Sequence, residues 1–464
     1  MGAMSDFVGR RLELALLQEQ WKAPGGAFVP IYGRRRIGKT ELIHTFLEAR
    51  QGVLHVGKVA PAALQLREFL EVSARALDEP LLAELNVDSW QKAIEAVVGR
   101  WKGPGKLVLA FDEFQWTAAA SPELPSVLQA LWDSSWRRSG KIMLILCGSF
   151  IGFMEREVLG EKSPLFGRRT AQIHLKPFDF PDSRKLIPRA SVEQQALAWS
   201  LTGGVAQYLK AFDDGRSFRE NVERLVLDPF GPLFREPEFL LREELRDVGT
   251  FHAVLMGIAG GAHSPRDIAR AGGVAERGLH YNLEQLTQLG YVARRYPTTG
   301  TKPRRTDVRF VLDDALLRFW FRFVFPHQSQ LAQLSPSAAF DRLIAPQLDA
   351  WAGDGFERLC RQLLPRVLLA EGVRATVEVG SWWDRTAQVD LVGIRDDGVT
   401  ELGECKWGPI GSAELLRQLE ARAAAFPNVK RHTLRLHGFV RTWKGKAPDG
   451  VRIHRLAELA ELPQ

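Results

Sequence analysis

The chain is poor in cysteine. It has 3 in 464 residues, Cys147, Cys360 and Cys405, far apart and without a CxxC pair. This argues against a disulfide framework and against a structural zinc site, and a reducing, cytoplasmic setting is expected. Also lacking is any apolar run near the roughly 20 residues that span a bilayer, so no membrane partner is expected. No charged-then-apolar segment opens the chain, which speaks against a secretory leader. There is no acidic excess: the formal charge is +7 and the pI about 9.3, a balance that suits an acidic partner such as nucleic acid. What is present is the composition of an ordinary globular protein, 45% hydrophobic and 25% charged. The length is too great for one core, so two to four domains are expected.

The strongest local signal is Gly33-Arg34-Arg35-Arg36-Ile37-Gly38-Lys39-Thr40. It lies between an apolar run, Ala27 to Tyr32, and a helical stretch, Glu41 to Leu47, which is the setting a phosphate-binding loop needs. The glycines let backbone N–H groups turn around phosphates, and the helix N-terminus adds its positive end. Lys39 is expected to reach the β- and γ-phosphates of ATP, and Thr40 to hold Mg²⁺. Leu107 to Phe111 is an apolar strand running into Asp112 and Glu113. Asp112 would hold the Mg²⁺ water shell, and Glu113 would orient and deprotonate the attacking water. The bland alternative is that both acids cap the following segment. Apolar runs at Lys141–Cys147 and Gln172–Leu175 continue the alternation of strand and helix. A doubly wound α/β domain follows.

Several strings then resemble those of AAA+/STAND-type P-loop ATPases. Phe7-Val8-Gly9-Arg10-Arg11-Leu12-Glu13-Leu14 is similar to their adenine-side box. Leu146-Cys147-Gly148-Ser149 resembles their sensor-1 strand end, and Ser163 to Thr170 the arginine motif of the prokaryotic "archaeal ATPase" group. The resemblance implies an ATP/ADP site built from Phe7, Val8, Gly33, Arg34, Arg35, Arg36, Ile37, Gly38, Lys39, Thr40, Glu41, Asp112, Ser149, Arg168 and Arg169. Arg168 or Arg169 would stabilise phosphate charge, within the chain or from a neighbouring copy in a homo-oligomer. The alternative is a surface pair on a basic loop. Leu201 to Leu209 is similar to the family's lid motif, from which Ala206 departs by replacing proline.

Beyond the lid, Phe251–Ala259, a Ser264-capped stretch and Glu276–Leu289 read as three helices. Tyr291–Tyr296 and Thr306–Val311 read as a strand pair. This is the order of a winged helix-turn-helix. Its hairpin carries Arg294, Arg295, Lys302, Arg304, Arg305 and Arg309 against Asp307. Such a hairpin suits phosphate contacts along DNA; a protein-docking winged helix with a solvated wing is the alternative. Phosphate contacts carry no base preference.

After the aromatic-rich run Leu316–Val324, expected to pack between domains, the C-terminal part carries a sparser set. Glu357 lies on an amphipathic helix, Asp390 on a strand, Glu404 and Lys406 on one face of another strand, and Gln418 on a later helix. Carboxylates converging on one point hold Mg²⁺ or Mn²⁺, because hard cations prefer oxygen. The metal lowers the pKa of bound water, and a nearby lysine positions that water. The order resembles the PD-(D/E)XK nuclease fold, with Asp390 and Glu404-Cys405-Lys406 as its core motif and Glu357 as the acid of its first helix. Ser381-Trp382-Trp383-Asp384-Arg385 is similar to the lead-in of the DUF234 region. A nuclease-like fold kept only for interaction is the alternative.

The chain thus resembles ATPase–DUF234 fusions of archaea and bacteria. The expected fold is multidomain α/β. A P-loop ATPase core spans 1–176, a helical lid 177–247, a winged helix 248–313, aromatic-rich connecting helices 314–345 and a PD-(D/E)XK-like domain 346–464. The expected activity is a nucleotide-regulated, metal-dependent DNA endonuclease. The rival is a STAND-like ATP/ADP switch that binds DNA or protein and cuts nothing.

Overall fold

The apolar runs of the N-terminal part become buried parallel strands, as continuous hydrophobic stretches of this length require. In a computed structural model, which describes residues 7–463 apart from Arg246 and the Arg305 side chain, the chain divides into two units at Pro177/Phe178. The first unit holds β1 (Ala27–Tyr32), β2 (Gly52–Val56), β3 (Leu107–Asp112), β4 (Ile142–Gly148) and β5 (Ile173–His174). Their order is β2-β3-β4-β1-β5, all parallel. Every residue of β1, β3 and β4 is buried. The segments after β1, β4 and β3 therefore lie side by side along the carboxyl edge, where open α/β sheets bind ligands. A ring cluster anchors one face: Phe69 and Trp90 lie 5.6 and 5.9 Å from Phe111, with His55 of β2 among them. Following β1, helix α1 (Lys39–Leu47) starts inside the glycine-rich loop.

In the second unit, the lid-like string bends between helices Val192–Thr202 and Ala206–Lys210. Ala206 is the first residue of its helix. Proline is favoured at that position, but alanine also satisfies it. Next come α2 (Val248–Ala259), α3 (Pro265–Gly272) and α4 (Leu279–Gln288). The Ser264 hydroxyl caps α3 by accepting from the Asp267 amide at 3.2 Å. The third helix begins at Leu279 rather than Glu276, because Gly278 before it is left-handed, φ 92°. Strands β6 (Val292–Arg295) and β7 (Arg309–Leu312) pair antiparallel and are shorter than the sequence suggests. The aromatic run packs within this unit, with Phe319 5.2 Å from Trp351.

Trp351 lies on α5 (Leu348–Ala370), which leads into β8 (Val377–Trp383), β9 (Gln388–Arg395) and β10 (Val399–Lys406). Helix α6 (Ser412–Ala425) then crosses over to β11 (Thr433–Val440), and β12 (Val451–Arg455) follows. The sheet order is β12-β11-β10-β9-β8. β8, β9 and β10 are antiparallel neighbours, while β10, β11 and β12 are parallel. Parallel neighbours need a crossover connection, and α6 supplies it between β10 and β11. Among the described residues no helix is long and apolar enough to cross a membrane.

Candidate functional sites

The glycine-rich loop is shaped by its backbone. Gly33 has φ 151°, and a Cβ there would come within 2.2 Å of the Leu175 carbonyl oxygen, so only glycine fits. Arg36 and Gly38 also have positive φ. The buried Lys39 ammonium curls into the loop and donates to the carbonyls of Gly33 (2.9 Å) and Arg34 (2.8 Å). Beside it the Thr40 hydroxyl donates to Asp112 Oδ2 at 2.5 Å. These adjacent hard oxygens fit a nucleotide-bound Mg²⁺. Glu113 follows in a left-handed conformation, φ 47°. Its Oε2 accepts from Ser149 Oγ at 2.6 Å and from Gln115 Nε2. The structure therefore brings together Gly33 to Glu41, Asp112, Glu113 and Ser149, as the sequence suggests. Phe7 and Val8, at the start of the described chain, are half-buried.

The two motif arginines part company. Arg168 is held by both oxygens of Asp133, at 2.7 Å for its closest contact, and by the carbonyls of Pro164 and Phe166. Arg169 is exposed. Burial and Glu155 push the Tyr32 phenol up while Arg169 pulls it back, so the Arg169 charge acts on the residue just before Gly33. Arg10 escaped the sequence reading. Its buried guanidinium donates to the carbonyls of Ile37 (3.1 Å) and Lys176 (2.7 Å) and so braces the loop. Only its place in the opening box signals this role.

In the second unit the ladder pairs Leu402 with Val392 and Gly403 with Leu391, so one step further on Glu404 lies opposite Asp390. Asp390 Oδ2 accepts from the Cys405 amide at 3.1 Å. Lys406 Nζ lies 2.7 Å from Glu404 Oε1. The other Glu404 oxygen is buried without a hydrogen-bond partner, with Arg422 Nε 3.7 Å away. On α5, Arg361 Nη1 reaches Glu357 Oε2 (3.3 Å) and the Asp390 carbonyl (2.5 Å). Burial, with Asp390 close by, pushes the Glu357 carboxyl up to about 8. Burial and the Glu404 charge push Asp390 up to about 6. Asp390, Glu404 and Lys406 thus meet, while Glu357 faces Arg361, and Gln418 donates to Glu414 at 2.7 Å. Among the described residues no three His, Cys, Asp or Glu side chains gather closely enough to hold a metal ion. The orphaned Glu404 oxygen beside Asp390 still fits a hard cation completed by solvent oxygens. Sequence reading missed Arg361 and Arg422, and only the four-residue step from Glu357 hints at Arg361.

The basic hairpin is less free than its composition suggests. Arg294 is ion-paired with Glu284, and Arg295 with Asp313 at 2.7 Å. Arg309 lies 4.5 Å over the Trp383 ring and donates to Gln388 at 3.2 Å. The Thr298 amide donates to the Ser381 carbonyl at 2.8 Å. A Cβ at Gly380 would meet the Thr298 hydroxyl at 2.0 Å, so the hairpin loop rests directly on β8. Lys302 and Arg304 remain exposed, and the Arg305 side chain lies outside the described residues.

Parts of the chain are similar to known proteins. Residues 7–212 match the model of an ATPase domain predominantly from Archaea. Residues 320–418 match DUF234, archaeal and bacterial proteins of unknown function. The uncharacterized protein MJECL04 of Methanocaldococcus jannaschii is 26% identical over 404 residues, 86% of this chain and 87% of that one. The uncharacterized ATP-binding protein MJ0423 of the same organism is 44% identical over 45 residues, 10% of this chain and 76% of that one. The Walker-type ATPase of Pyrococcus abyssi superposes with a TM-score of 0.53 at 20% identity, covering 69% of this chain and 97% of that one. That likeness establishes a shared fold.

Proposed function

We propose that this chain, which joins an ATPase domain of the predominantly archaeal family to a DUF234 segment, is a nucleotide-regulated, metal-dependent DNA endonuclease. In the first unit, Lys39 and the loop amides would bind the ATP phosphates, and Thr40 and Asp112 would hold Mg²⁺. Glu113 takes a proton from the attacking water, and Ser149 and Arg169 face the terminal phosphate. Arg169 acts within the chain or across a homo-oligomer. In the second unit, Asp390 and Glu404 would hold Mg²⁺ or Mn²⁺, whose chemistry when bound would be to lower the pKa of a water. Lys406 orients that water, and Glu357 completes the acidic wall. The helix triplet and hairpin, read as a winged helix, hold DNA through phosphates. Nucleotide state would then bias access to Asp390 and Glu404, a coupling between two distinct sites. The observation that carries the nuclease reading is the buried, unpartnered Glu404 oxygen beside Asp390 and Lys406.

One observation favours the rival, a nucleotide switch that does not cut: Lys406 is already ion-paired with Glu404, and Arg361 already lies against Glu357. Plasmid incubated with the full chain and Mg²⁺ or Mn²⁺, with and without ATP, separates the readings. Cleavage is expected, with a loss on the order of 10²-fold in Glu404→Ala and loss of the ATP dependence in Lys39→Ala. Cutting that survives Glu404→Ala would sink the site assignment. No cutting under any metal or nucleotide condition would favour the switch.

A further inference from the structure

We infer that Gln115 is a positioning residue for ATP hydrolysis: with Ser149 it fixes the carboxylate of Glu113 so that one oxygen stays available to the attacking water. The inference rests on the reading of Glu113 as the group that takes the proton of that water. Asp112 and Trp116 hold the Glu113 backbone in a left-handed conformation, φ 47°, but they leave the orientation of its carboxylate open. The restraint comes from two donors on a single oxygen. Ser149 Oγ donates to Glu113 Oε2 at 2.6 Å, and the Gln115 amide donates to the same atom. The amide also lies 3.4 Å from Ser149 Oγ, which closes a triangle at the ends of β3 and β4. With Oε2 taken, Oε1 is the oxygen that can accept a proton.

The surroundings are built for this amide. Gln115 is 5% exposed, and its own carbonyl oxygen is buried without a hydrogen-bond partner. An unsatisfied buried polar group destabilises a fold, so packing alone gives no reason for a glutamine here. Gly148 makes room for it: a Cβ there would lie 3.0 Å from Gln115 Oε1 and 2.7 Å from Met154 Sδ. In the proposed reading, phosphate and metal fall to Lys39, Thr40 and Asp112, and Gln115 is assigned to neither. Its contribution runs through Glu113.

A general base contributes about 10²–10⁴-fold, so removing one of its two restraints should cost about tenfold in turnover. The test is steady-state ATP hydrolysis by the full chain carrying Gln115→Met, which keeps length and removes the donor. Fluorescent-nucleotide titration runs alongside and also shows that the variant is folded. The expected result is a kcat about tenfold lower with unchanged nucleotide Kd, and no further loss when the change is added to Glu113→Gln. Turnover equal to wild type would overturn the inference. So would a matching loss of nucleotide affinity, or an equal drop in the Glu113→Gln background, because a purely structural residue would act there too. Gln115→Asn, whose shorter amide cannot reach as far, should fall between the two. If Glu113→Gln alone hydrolysed ATP like wild type, Glu113 would not be the base, and the inference would fall with that reading rather than by itself.

Discussion

The two charged sites of this chain are balanced in opposite ways. In the glycine-rich loop Lys39 rests on carbonyl oxygens, which are neutral, so its charge is left for an incoming phosphate. At Asp390 and Glu404 the cations Lys406, Arg361 and Arg422 already face carboxylates. The first arrangement waits for a ligand's charge; the second has closed on itself and must exchange partners before it can receive one. Their buried titratable groups also differ in sign. His55, within the ring cluster of the first unit, is held neutral by losing affinity for a proton. Glu357, in the second, is held neutral by gaining it.

The larger expected consequence belongs to the second unit. Burial raises Glu357 from 4.5 to about 8. The folded state therefore binds more protons than the unfolded state between those values. The contribution is present in full below pH 4.5 and is lost as pH rises through about 8. Thermal unfolding of the full chain should show a transition that weakens by a few kcal/mol across this window. Glu357→Gln, neutral at every pH, should remove most of that slope. A slope unchanged in the variant would mean that Glu357 is ionised in the fold and held as a carboxylate by Arg361.

The mirror-image effect belongs to the first unit. Burial lowers His55 from 6.5 to about 4, against the opposing pull of Gln65 and Glu68. Nothing is lost above pH 6.5, where both states are neutral. Below it the unfolded chain takes a proton that the fold refuses, and stability falls until about pH 4. The full separation corresponds to about 3 kcal/mol. Unfolding of His55→Leu between pH 7 and pH 4 should show a shallower acid limb than wild type. An identical limb would place the acid sensitivity elsewhere and break the contrast in sign.

The same contrast governs how far the sequence could be read. The phosphate loop was legible because its chemistry is contiguous from Gly33 to Thr40 and stands between a strand and a helix. Asp390, Glu404 and Lys406 were found by type and spacing, but their meeting depends on the β9–β10 register, which residue order alone does not set. Strands β11 and β12 went unread, since the charged and polar residues Arg435, His437, Arg452 and His454 interrupt their apolar runs. His437 Nε2 on β11 donates to Glu401 at 2.8 Å, and Arg395 donates to the same carboxylate at 2.7 Å. Burial raises Glu401, yet His437 and Arg395 outweigh it and leave the carboxyl below its usual range. Mutual compensation of this kind hides a core strand from any hydrophobic pattern. Gln115, Arg361 and Arg422 lack a motif altogether, because each acts on a neighbour brought to it by folding.

The smallest effects should come from the hairpin, where paired and unpaired charges stand within a few residues of each other. Arg294 and Arg295 already face Glu284 and Asp313. Lys302 and Arg304 are exposed and have no acidic partner among the described residues. A cation held by a carboxylate releases little counterion on meeting a phosphate, whereas a solvated one releases its full share. In DNA binding measured by fluorescence anisotropy over a salt series, Lys302→Ala and Arg304→Ala should each weaken affinity about threefold and reduce the salt slope by about 1. Arg294→Ala and Arg295→Ala should leave the slope nearly unchanged. Equal effects from all these variants would show that the ion pairs open on DNA, so that this surface, like the carboxylate site, exchanges partners to work. No effect from any would remove the hairpin from the interface and leave DNA contact to the face of α4.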